Sequence, residues 1–230
     1  MHAHNQRNLV SILKIATVYL LLVVGLSLLP GKIPGEMVRE NGPVETLSAA
    51  GYFLFCIFIF YFNFTGVIRT SLAPALFLLL LGLRELDFHA RFTTMSMSKI
   101  KFFVSPAVPI TEKAVVGFFI FVLLAYGFFY LRKALPDFMK DLVGGRPYAV
   151  SIVCAICCIV LSKSLDGNTK LFELFLPLSW DPRTVSRTME ECMELFIPVF
   201  FIRALLQYSG ESVRKQSIGT IGAAGEANRL

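Results

Sequence analysis

Long apolar runs that recur along the chain constrain its fold more than any other feature of the sequence. Runs of roughly 18 residues or more with few charged side chains are typical of helices that span a bilayer. Charged residues make up only 17% of the chain, against about 25% in soluble globular domains. The sequence therefore predicts an all-α fold, a polytopic membrane helix bundle.

Six of these runs are interpreted as transmembrane helices, separated by segments that are polar, basic or rich in Gly and Pro. We expect residues 1–208 to form the helix bundle. The polar, Gly-rich residues 209–230 are expected to form a disordered tail. The six predicted spans are about 9–29, 43–64, 71–86, 114–131, 148–162 and 190–206.

The most densely charged helix end is LGLRELDFHARF, residues 81–92. It places five ionisable side chains within eight positions: Arg84, Glu85, Asp87, His89 and Arg91. If the helix continues, Glu85 and His89 share one face at a spacing of four residues, and so do Asp87 and Arg91. A charged group where an apolar helix leaves the bilayer is either a solvated helix end or the rim of a site.

The number of spans predicts which charged helix ends lie on the same side of the membrane. With six spans, the start of the second helix, the end of the third, the end of the fifth and the start of the sixth all face one side. Carboxylates there are mixed with Arg, Lys and His, as expected for a polar site built from four helix ends. The candidate polar site comprises Glu45, Arg84, Glu85, Asp87, His89, Arg91, Lys163, Asp166, Glu190, Glu191 and Glu194.

The opposite side of the predicted bundle is mainly basic. It holds Arg69, residues 132–146 and the two terminal segments, and we expect most of this basic charge to be unpaired. Basic residues in short loops near the spans favour the cytoplasmic side. We therefore expect a multi-pass protein of the cell inner membrane with both termini in the cytoplasm. The basic residues between Arg84 and Lys101 favour the inverse orientation.

The chemistry of the candidate polar site follows from its excess of carboxylates. Seven carboxylates and His89 stand against three Arg or Lys side chains. Oxygen-rich clusters suit Mg²⁺ or Ca²⁺, and carboxylates with one His can hold Zn²⁺. The alternative is a set of interhelical salt bridges that stabilise the bundle. The ligands of a divalent metal would be Glu85, His89, Asp166, Glu191 and Glu194.

Four segments, ENGPVETLSAAGYF, LRELDFHARFT, SKSLDG and EECMEL, carry this acidic helix-end pattern. In this layout the chain resembles uncharacterised bacterial multi-pass inner-membrane proteins, and the resemblance implies a membrane fold without a particular activity. Alkaline-ceramidase-type hydrolases do not match, since their zinc site needs three histidines and only His89 is suitably placed. The motifs of membrane lipid phosphatases, a PSGH run and a paired Arg/His signature, are missing.

Two classes of function remain open. In the first, the charged side binds an ion, a lipid headgroup or a partner, and the protein acts as a sensor or accessory subunit. In the second, the chain is a metal-assisted hydrolase or transferase acting on a lipid or lipid-linked substrate. The expected partners are membrane lipids and other membrane proteins. Nucleic acid is not expected, because the net charge of +6 mostly reports topology in a membrane protein.

Overall fold

The structure of the chain is a computed structural model. It describes residues 2–28, 33–38, 42–88, 93–95, 100–165 and 181–227. Within these residues the regular secondary structure is entirely helical, which confirms the all-α prediction for this part of the chain. The eight helices there are α1 (His2–Ser27), α2 (Ile33–Met37), α3 (Pro43–Phe64), α4 (Ala73–Glu85), α5 (Ile100–Val104), α6 (Ile110–Val143), α7 (Pro147–Leu165) and α8 (Pro182–Ala227).

Among the described residues, four helices are long and apolar enough to cross a membrane: Val10–Ser27 within α1, and the whole of α3, α6 and α7. The described part of the chain is thus helical, with four candidate membrane spans. Helices also occupy the third and sixth predicted spans. However, α4 has only 13 residues and rises about 20 Å, less than the hydrocarbon core of about 30 Å.

Helix α3 packs against both α4 and α8. Tyr52, Phe55 and Ile59 of α3 form one buried cluster with Leu78 of α4 and Ile197 of α8. Their spacing of three and four residues places the α3 side chains on one face of the helix. The apolar face of α3 therefore holds α4 and α8 in a fixed relation to each other.

Close packing of α3 and α8 depends on a glycine opposite a proline. A Cβ atom added to Gly51 would lie 2.8 Å from Cγ of Pro198, whose own side chain is fully buried. The ring of Pro198 thus occupies the space that a side chain at position 51 would need. This contact brings the two helices together one turn beyond the charged part of α8.

Helices α1 and α6 lie at the periphery. Tyr19 of α1 packs edge-on against Phe196 of α8, with 5.6 Å between the ring centroids. The most apolar stretch of α6 contributes no buried residue, and Phe77 of α4 stacks on its Tyr126. An apolar helix exposed in this way suits contact with lipid chains.

The first turn of α8 is capped by Asp181. Its carboxylate accepts hydrogen bonds from the backbone N–H groups of Arg183 and Thr184 and from the Thr184 hydroxyl, the last at 2.6 Å. These bonds, the hydroxyl first among them, hold the pKa of Asp181 below its ordinary value. At its other end α8 continues to Ala227, through much of the predicted tail. The division into bundle and tail stays a prediction.

Replacing Gly51 by Ala should destabilise the bundle, because the added methyl group collides with the buried ring of Pro198. Overpacking of this kind costs about 1–3 kcal/mol. Gly25→Ala is the matched control, since a Cβ atom added to Gly25 would meet no neighbouring atom within 4 Å. Denaturant unfolding in detergent should show a loss for the first variant only. Equal stability of the two variants would contradict the close approach of α3 and α8.

Candidate functional site

The charged end of α4 lies close to the predicted end of the third span. The helix ends at Glu85, and Asp87 takes a left-handed φ of 46°, a conformation that Asp tolerates better than most residues. The helix does not continue through Asp87, so the condition on which a shared helical face of Glu85 and His89 depended is not met. Arg84 and Glu85 lie in the last turn of α4.

Glu194 of α8 is the centre of the charged cluster. Its Oε1 lies 3.1 Å from Nζ of Lys163 on α7 and 3.6 Å from Nη2 of Arg84 on α4. The same Nη2 of Arg84 lies 3.4 Å from Oε1 of Glu85, and Nζ of Lys163 lies 3.7 Å from Oε1 of Glu190. One carboxylate thus ties the ends of three helices together.

The cluster extends along the first turns of α8 and to the start of α3. Arg187 lies 3.9 Å, from Nε to Oε1, from Glu191 one helical turn away. Glu45, in the first turn of α3, is close enough for its charge to act on Glu85 and Glu191. Arg187 was missed in the sequence, although its spacing of four residues from Glu191 was visible.

The acidic side chains of the cluster are mostly buried, whereas its basic side chains are partly exposed. The side chains of Glu85 and Glu194 are 5% and 10% exposed, whereas those of Arg84 and Lys163 are 41% and 46% exposed. Arg187 is similarly exposed above a mostly buried Glu191. The carboxylates therefore form a base beneath an outer layer of three cations. Buried carboxylates need such partners, because an unpaired charge away from water is costly.

Several predicted members are not placed in this arrangement. His89, Arg91 and Asp166 lie outside the described residues. The ion pairs that join the cluster do not include Asp87. Within the described part of the chain, no group of three or more His, Cys, Asp or Glu side chains is positioned to hold a metal ion. The predicted metal set contains two of the undescribed residues and stays a prediction.

The opposite end of the bundle holds a second charged group that the sequence did not predict. Arg146, just before α7, lies 2.8 Å from Asp141 of α6 and 2.8 Å from Glu211 of α8. The hydrogen bond to Glu211 and the charge of Asp141 raise the pKa of Arg146. The expectation of mostly unpaired basic charge is wrong for Arg146. It is also wrong for Lys140, which pairs with Asp137.

A neighbouring polar junction joins α1, α7 and α8. The guanidinium of Arg203 donates to the Ser151 hydroxyl at 2.5 Å and to the side-chain oxygen of Asn8. Gln207, one turn further along α8, accepts a hydrogen bond from Ser151 and donates one to Asn8. All these acceptors are neutral. Helix α8 is thus anchored by polar groups at both ends of the bundle.

No protein-family model matches the chain. No curated protein and no solved structure shows significant similarity to it.

The shared contact of Glu85 and Glu194 with Arg84 predicts that their effects on stability are coupled. Glu85→Gln and Glu194→Gln should each lower the free energy of unfolding, because a cation loses a buried carboxylate partner. The double variant should cost less than the sum of the two. The expected interaction energy is about 0.5–3 kcal/mol, measured by denaturant unfolding in detergent.

Asp137→Asn provides the control for this cycle. Its partner Lys140 and Asp137 itself are both largely exposed, so the substitution should change stability by no more than about 0.5 kcal/mol. Strictly additive losses for Glu85 and Glu194 would show that the two carboxylates are independent helix-end charges.

Proposed function

We propose that the protein is a six-span protein of the cell inner membrane, with both termini in the cytoplasm and the charged cluster on the outer side. This arrangement is supported by the positions of three contacting residues along their helices. Arg84 lies in the last turn of α4, Lys163 lies near the end of α7, and Glu194 lies in the first part of α8. Contact among them requires those ends to lie at one side of the bundle. In this proposal residues 71–86, which include α4, and residues 190–206 complete the set of six spans.

We further propose that the cluster binds the phosphate of a lipid headgroup, so that the protein serves as a sensor or accessory subunit. This proposal is supported by the difference in exposure between the two signs of charge. The cations are partly exposed and the carboxylates beneath them are mostly buried; the cations are Arg84, Lys163 and Arg187. A ligand that approaches from the membrane surface meets the cations first. Arg and Lys side chains are the common protein ligands of phosphate.

The same placement of exposed cations over buried carboxylates disfavours a divalent cation as the main ligand. A metal ion would have to pass three exposed cations to reach Glu85 and Glu194, which already contact Arg84 and Lys163. The carboxylates instead hold the cations in place, as supporting groups commonly do for residues that contact a ligand. A phosphate oxygen can then bind to N–H groups whose positions are fixed before it arrives.

The proposed topology predicts the location of reporter proteins fused to the chain. Fusions at Lys140 and after Gly210 should report the cytoplasm, and fusions at Lys101 and Lys170 the outer side. The result follows from six spans and basic residues on the cytoplasmic side. Two adjacent loops that report one side would contradict six spans, whereas complete inversion would contradict only the orientation.

Phospholipid retention by the purified protein tests the proposed ligand. Native mass spectrometry with added phosphatidylglycerol should detect bound lipid on the unmodified chain. Arg84→Gln and Lys163→Gln should each weaken binding about tenfold, since a charge-assisted hydrogen bond contributes about 1.5–3 kcal/mol. Parallel unfolding measurements identify any variant that is not folded.

Lys140→Gln is the matched control, because it removes an exposed cation from α6 and should leave lipid retention unchanged. Equal loss in all three variants would indicate general attraction to an anionic lipid and would contradict a site. Binding of Mg²⁺ that is abolished by Glu194→Gln, without retained phospholipid, would favour the metal interpretation instead.

A further inference from the structure

Pro198 interrupts the backbone hydrogen bonds of α8 beside the charged cluster. In an α-helix, the N–H of each residue donates to the carbonyl four residues earlier. Proline has no N–H, so a proline within a helix leaves that carbonyl without its helical donor. Pro198 lies inside α8, and the residue four positions before it is Glu194. The central carboxylate of the cluster therefore belongs to the residue whose backbone carbonyl has lost its partner.

A side chain from another helix supplies the missing donor. The hydroxyl of Ser48 on α3 donates to the backbone oxygen of Glu194 at 3.3 Å. Ser48 is 1% exposed, so no solvent reaches this contact. A buried carbonyl without a donor costs free energy comparable to a lost hydrogen bond, and the Ser48 hydroxyl removes that cost.

Gly51 makes this contact geometrically feasible. It lies one turn after Ser48 on α3, and its missing side chain leaves room for the ring of Pro198. With the ring seated there, the Glu194 carbonyl comes within reach of the Ser48 hydroxyl. The serine, the glycine and the proline thus form one unit at the crossing of α3 and α8.

We propose that Ser48 is a positioning residue, which replaces the backbone hydrogen bond that α8 lacks at Pro198 and so holds the Glu194 carboxylate between Arg84 and Lys163. This inference deepens the proposed headgroup site and depends on it for its functional meaning. The hydroxyl acts through the backbone of Glu194 and does not contact the ligand. Without it, the Glu194 carbonyl must find another donor, and the first part of α8 shifts relative to α7.

Zero-length cross-linking measures this position without any ligand. A water-soluble carbodiimide joins Lys163 to a neighbouring carboxylate as an amide, and peptide mass spectrometry distinguishes Glu194, at 3.1 Å, from Glu190, at 3.7 Å. Ser48→Ala should lower the ratio of Glu194 to Glu190 amide about fivefold, the change expected for loss of one hydrogen bond. Lys140 and Asp137, whose Nζ and Oδ1 atoms also lie 3.1 Å apart, provide the internal control. The yield of their amide should not change.

The decisive comparison repeats Ser48→Ala in a chain that also carries Pro198→Ala, because alanine restores the N–H that the Glu194 carbonyl lacks. In that chain, Ser48→Ala should change the ratio of the two amides less than about twofold, since the restored helical hydrogen bond makes the Ser48 hydroxyl dispensable. A Ser48→Ala effect of equal size in both backgrounds, or none with Pro198 present, would overturn the inference. If Ser48→Ala alone is not recovered folded, recovery of the double variant supports the same coupling and its failure overturns it. Because the cross-link needs no lipid, its outcome is independent of phospholipid retention.

Discussion

The carboxylate of Glu194 between Arg84 and Lys163 is the interaction on which the charged end of the bundle depends. An ionisable group near the bilayer must find a partner, because its desolvation is otherwise too costly. Here the partners of Glu194 on α8 come from two other helices, α4 and α7. Apolar packing of α4 on α3, of α3 on α8 and of α7 on α8 sets the separation, and the ion pairs then determine which ends meet. Electrostatics and apolar packing therefore specify the same arrangement.

Much of the helical architecture could be predicted because apolar length is a local property. The approximate positions of α1, α3, α6 and α7 followed from the long apolar runs in the sequence. The meeting of Glu85, Lys163 and Glu194 was expected from the direction of each helix across the membrane, and the structure places these side chains together. The end of α4 at Glu85 agrees with the predicted end of the third span near residue 86, whereas the left-handed turn at Asp87 leaves no periodic signal in the sequence.

What escaped prediction depends on contacts between distant residues. Ser48 is an ordinary small residue in the sequence, and its role appears only when the carbonyl of Glu194 lies opposite it. Likewise, Asn8 and Ser151 are unremarkable polar residues until Arg203 lies between them. Neither junction follows from helical periodicity, because each requires knowledge of which helices are neighbours and at what height they touch.

The junction at Arg203 has a consequence for how the protein enters the membrane. The described hydrogen-bond partners of its guanidinium are hydroxyl and amide oxygens, and none of them is a carboxylate. It therefore keeps a positive charge inside the bundle near the side that the proposal assigns to the cytoplasm. Transfer of that charge across the bilayer would oppose the membrane potential, at about 2.3 kcal/mol per 100 mV. In the proposed orientation, this charge on the cytoplasmic side would add to that of the basic loops in opposing inversion after insertion.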